Sequence, residues 1–139
     1  MTIGAILLAV VLATAAQFDR AGRACFAALR DFQVIELREV QAHHAWPTEA
    51  QHQEIAAKLA IAYEGVADSL PLGVNFVQGH PQAVSWLRSV NVAVGALSGL
   101  VGPLAPKDAR QTVQTVQDRF AALLALYPVG TIDEHPPIR

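Results

Sequence analysis

The chain has 139 residues and a formal net charge of −2, with 53% hydrophobic residues and only 16% charged ones. That length fits one domain able to bury a core without disulfides or a structural metal. The composition excludes a wholly disordered chain and a strongly basic nucleic-acid binder, and the single cysteine excludes an intrachain disulfide and a multi-cysteine zinc site.

No segment alternates apolar and polar residues with a sustained period of two, so the chain reads as helices cut by proline. The first helix is expected over residues 3–42 with Thr2 as N-cap. Phe18, Ala21, Cys25, Ala28, Phe32 and Ile35 form its apolar seam, and Asp19 and Arg23 sit one turn apart on its outer face. An unbroken helix of that length would span roughly 60 Å, so it either breaks, with Gly22 the natural place, or projects beyond the domain. A turn at His43-His44-Ala45-Trp46-Pro47 ends it.

Thr48-Glu49-Ala50-Gln51 has the capping-box pattern and starts the second helix. Its seam is Ile55, Leu59, Ala62 and Val66, and Pro71 is expected to stop it. The short turn makes the first two helices an antiparallel hairpin. An apolar loop over residues 70–80 follows. Pro81 opens a third helix that runs to about Gly102, with Trp86, Val90, Ala93, Leu97 and Leu100 as its seam. Pro103 and Pro106 separate it from a fourth helix, Lys107 to Tyr127, with Val113, Val116, Phe120, Leu123 and Tyr127 facing inward. Asp108 favours the start of that helix through the helix dipole. Residues 128–139 contain three prolines and no helical period, and read as an extended arm. The expected fold is therefore all-α: a bundle of about four helices in one domain, residues 1–127, with a long N-terminal helix and a C-terminal arm.

The 22 charged side chains are unevenly placed. Residues 1–18 carry none and residues 69–106 carry only Arg88, whereas residues 19–68 carry thirteen. A surface helix keeps a charged face toward water, so these two blocks are expected to be covered by the core, a partner subunit or lipid. The run 2–18 ends in Ala13-Thr14-Ala15, which resembles a signal-peptidase site, but no basic residue precedes it, and cleavage is not expected. As a membrane span it is at the short limit; Arg20 and Arg23 would hold the following residues on the cytoplasmic side. Residues 89–106 are also uncharged and carry Gly95-Ala-Leu-Ser-Gly99, a GxxxG that permits close helix approach. The candidate interface residues are Ile3, Ile6, Leu7, Val10 and Val11 on the first helix and Gly95, Leu97 and Gly99 on the third.

Chemistry-bearing residues cluster at the first turn. Glu39 and His43 are four apart, and Glu49-Ala-Gln-His52 has the E-x-x-H spacing of carboxylate metal bundles, although half of that ligand set is missing. Glu39, His43, Glu49 and His52 are only weak candidates for metal ligands, and the expectation is a solvated polar hinge with no metal. Cys25 lies on an apolar seam and reads as a buried thiol. There is no phosphate loop, dinucleotide fingerprint or nucleophile elbow. The leading expectation is a non-enzymatic structural subunit without cofactor, such as a virion component, made in the cytoplasm and associating with itself or other subunits through the first and third helices. A small membrane-anchored protein and a helical-bundle metalloprotein are the alternatives.

Overall fold

The computed structural model describes residues 15–74 and 81–127. Four helices account for the regular structure there: α1 (Ala15–Gln41), α2 (Glu49–Val74), α3 (Pro81–Gly99) and α4 (Lys107–Leu124), with no strand among the described residues. Each helix packs against two others, α1 on α2 and α4, and α3 on α2 and α4, so the four close a ring around one core. The all-α bundle follows from the seams. Cys25, Ala28 and Phe32 of α1, Ile55, Leu59, Ala62 and Val66 of α2, Val90 and Leu97 of α3, and Val113, Val116, Phe120 and Leu123 of α4 all lie in one buried cluster.

The α1–α4 register is fixed by three contacts along the pair. Phe18 meets Tyr127 edge-on at 5.0 Å between ring centroids. The Cys25 thiol donates to the Arg119 carbonyl at 3.4 Å, and the Arg38 guanidinium reaches Asp108 at 3.0 Å. As α1 rises α4 descends, so the pair is antiparallel. α1 and α2 are antiparallel too: Phe26 stacks on Tyr63 at 6.1 Å, while Glu36, farther along α1, meets His52 near the start of α2.

The capping box forms in both directions. The Gln51 amide donates to Thr48 Oγ1 at 3.1 Å, and the Thr48 amide donates to Gln51 Oε1 at 2.8 Å. Asp19 and Arg23 pair at 3.0 Å on the exposed side of α1. Neither the break at Gly22, the alternative to a projecting helix, nor the expected stop at Pro71 occurs. α1 runs straight through Gly22, which is buried against the bundle, and α2 continues past Pro71 to Val74. A proline one turn from a helix end forfeits a single hydrogen bond, to the carbonyl four residues back, and the packing of α2 on α3 outweighs that loss. α3 ends at Gly99 and α4 at Leu124, each slightly earlier than expected. Residues 1–14, the 75–80 part of the expected loop and the arm at 128–139 lie outside the described residues, and with them Ile3, Ile6, Leu7, Val10 and Val11.

α1 closes with a Schellman motif. The His44 amide bonds to the Glu39 carbonyl and the His43 amide to the Val40 carbonyl, both at 3.1 Å. His43 occupies the left-handed position with φ 57°, where glycine carries no steric penalty. His43→Gly is therefore expected to raise unfolding stability by about 0.5–1 kcal/mol, read as a higher denaturant midpoint with unchanged slope. A lowered midpoint would show that the His43 side chain contributes contacts of its own.

Candidate functional site

The polar residues of the first turn do gather, but not as the candidate ligand set. Glu36 sits four residues after Phe32 on the buried seam of α1 and is only 1% exposed. Its Oε2 lies 2.6 Å from His52 Nδ1, across the hairpin. Glu39, also buried, pairs with His44 Nδ1 at 3.0 Å. The Schellman geometry produces that second pair, since it brings together the two positions that usually make an apolar contact beside the cap. Here a carboxylate and an imidazole take those positions.

Arg38 extends the network outward. Its guanidinium makes a bidentate pair with Asp108, at 3.0 and 3.3 Å, and its Nε lies 3.5 Å from Glu39. The hydrogen bonds from Arg38 hold the Asp108 carboxyl below the usual carboxylate range. Trp46 closes the same end of the bundle: it is buried, crosses Phe32 edge-on at 6.4 Å, and donates its indole N–H to the Leu100 carbonyl at 2.9 Å. The turn is thereby tied to α1, to the end of α3 and to the start of α4.

The structure does not bring the four weak ligand candidates into one set. Glu39 and His52 belong to separate pairs, His43 and Glu49 are exposed, and no group of three or more His, Cys, Asp or Glu is placed to hold a metal among the described residues. The hairpin puts His52 against Glu36 instead of Glu49, because the E-x-x-H pair spans the first turn of α2, where Glu49 still faces water. Glu36 was not among the candidates; its signal was a carboxylate at seam spacing from Leu29 and Phe32. Leu97 also moves: it is fully buried in this chain's own core and so cannot face a partner. Gly95 is half-buried and Gly99 exposed, with nothing within 4 Å of where a Cβ would stand at Gly99.

Cys25 is a buried free thiol whose pKa burial pushes up to about 12. At pH below 9 the thiol is protonated whether the chain is folded or not. Between about 9 and 12 the unfolded chain alone releases the proton, so stability is expected to fall over that window. Cys25→Ala should flatten the alkaline decline in a pH series of unfolding midpoints; an identical slope would remove the thiol as its cause.

The outer surface holds a different kind of feature. Val34 is 61% exposed, Leu37 39%, Ile61 40% and Val92 37%, on the outer faces of α1, α2 and α3. Leu104 stands alone on the α3–α4 connection. A cleft of about 170 Å³ runs between α2 and α3, lined by Ile61, Glu64, Gly65, Asp68 and Ser89. No described helix is long and apolar enough to cross a membrane. No family model matches the chain, and comparison with curated proteins and with solved structures finds no match.

Proposed function

We propose that this chain is a non-enzymatic structural subunit that associates with copies of itself, or with other subunits of a larger assembly, through its apolar helix surfaces. One observation carries the reading: large aliphatic side chains stand on the outer faces of three successive helices, among small residues. Single exposed hydrophobics are ordinary on any surface. Here Ile61 is accompanied on α2 by exposed Ala56, Ala57 and Ala60, and Val92 on α3 by half-buried Ala96 and exposed Gly99. Contiguous apolar surface marks an interaction site, and these residues are the candidates to form one. The charge-free run at residues 2–18 adds to it.

The buried polar network serves this role by holding the turn end of the bundle rigid, since satisfied internal pairs fix one arrangement of the helices. Light scattering coupled to size exclusion tests the reading on the full chain at micromolar concentration. The expected mass is a multiple of 14.9 kDa. A clean monomer across that range ends the self-association reading.

A further inference from the structure

Resting on the assembly reading, the geometry points to its partner and mode: a second copy of this chain, docked head-to-tail, with the outer face of α1 seated in the α2–α3 cleft of its neighbour. Two surfaces of the same molecule complement each other in charge, in shape and in spacing.

The donor surface is the ridge Arg30, Val34 and Leu37. Val34 lies two residues from buried Phe32 and two from buried Glu36, so it points away from the core, and Arg30 and Leu37 flank it one turn to either side. The exposed charges of α1 are Arg20, Arg23, Arg30 and Arg38 against Asp19 and Asp31, since its two glutamates are buried. The receiving surface has the opposite sign. α2 exposes Glu49, Glu54, Glu64 and Asp68 against the half-buried Lys58, α3 adds exposed Arg88 beside Ser89, and the carboxylates of Glu64 and Asp68 line the cleft, so acids outnumber bases there.

The spacing also matches. Arg30 to Leu37 and Asp68 back to Ile61 are both seven residues, about 10 Å along a helix axis. Laid antiparallel, Arg30 meets Asp68, Val34 falls at Glu64 beside Gly65, and Leu37 meets Ile61. Gly65 has no side chain to resist the Val34 knob, and Ser89 of α3 lines the far wall. Pairing like with like is worse. An antiparallel α1–α1 contact centred on Val34 sets Arg30 against Arg38, and a cleft-to-cleft contact sets Glu64 and Asp68 against acids of the same sign. Like charges facing each other across an interface are costly. The favoured contact is therefore heterologous, and each added copy leaves one ridge and one cleft free, which builds a ring or an open filament.

Full-length Val34→Asp and Ile61→Asp chains test this by sedimentation and light scattering. Both sites are exposed, so each variant should keep the wild-type helical circular dichroism and melting temperature. Each is expected to be monomeric at concentrations where the wild type is fully associated. Mixed in equal amounts, they should form a dimer that grows no further, because the intact ridge of the Ile61→Asp chain fits the intact cleft of the Val34→Asp chain. The two damaged faces are both acidic and cannot pair. If either variant keeps the wild-type size, the ridge-and-cleft contact is overturned while the assembly reading stands on other surfaces. Monomeric variants that fail to complement overturn the head-to-tail mode. A monomeric wild type removes self-association itself, and this contact with it.

Discussion

Trp46→Ala is expected to destabilise the fold by about 3–5 kcal/mol, the cost of emptying a large aromatic site. Trp46 is the largest fully buried side chain among the described residues. It lies in the turn between α1 and α2, yet its contacts are with Phe32 of α1 and with the backbone at the end of α3. The last carbonyls of a helix lack intrahelical donors, and the indole N–H satisfies the one at Leu100. Trp46→Phe keeps most of the apolar volume but leaves that carbonyl without its donor, so a loss of about 1–2 kcal/mol is expected. Chemical denaturation, followed by circular dichroism and by the fluorescence of the remaining Trp86, separates the two effects. If Trp46→Ala lost less than about 1 kcal/mol, the turn would not be the anchor that its burial implies.

The second large effect falls on the Glu36–His52 pair. His52→Ala strips the partner from a fully buried carboxylate, and breaking a buried pair from one side typically costs about 3–5 kcal/mol. The His52 side chain is itself 35% exposed, so water can enter the vacated space and the lower end, about 2–3 kcal/mol, is expected. Replacing both partners, with Glu36→Leu and His52→Leu together, should cost much less than His52→Ala, because no charge is then left in the core. The comparison is made at neutral pH on unfolding midpoints, and the cycle completed with Glu36→Leu alone gives the coupling between the two positions. Equal losses for His52→Ala and for the double replacement would show that the pair's cost lies in packing and not in charge.

These expectations mark where local and nonlocal reasoning part. The seam of α2 could be read directly: Ile55, Leu59, Ala62 and Val66 recur at helical spacing, and all four are buried. The capping box at Thr48 and Gln51 and the Asp19–Arg23 pair were equally legible, because each joins residues within one turn. Pro71 misled because proline's preference is a local term of a few kcal/mol that extended packing can exceed. The first turn misled for another reason. Spacing along one helix paired Glu49 with His52, but which carboxylate faces an imidazole across a hairpin depends on the relative rotation of two helices.

The candidate surface divides the same way. The charge-poor blocks at 1–18 and 69–106 were visible in the sequence, and they drew attention to Gly95, Leu97 and Gly99. Burial then assigned Leu97 to the core and left Val34, Leu37, Ile61 and Val92 outside. Val34 and Leu37 lie in the charged segment, where apolar residues gave no signal of their own.

The sequence by itself determined the all-α class, where α2, α3 and α4 begin, and which stripe of the described helices turns inward, since these follow from helical periodicity and from contacts within a turn. Only the tertiary structure decided that Glu36 and Trp46 belong to the core, that α4 closes the ring against α1, and that a cleft between α2 and α3 faces outward with an acidic rim. Those outcomes depend on the rotation and register of one helix against another. Both are set by the simultaneous packing of residues far apart in the chain, such as Phe18 with Tyr127 and Trp46 with Leu100, and no local pattern encodes that sum.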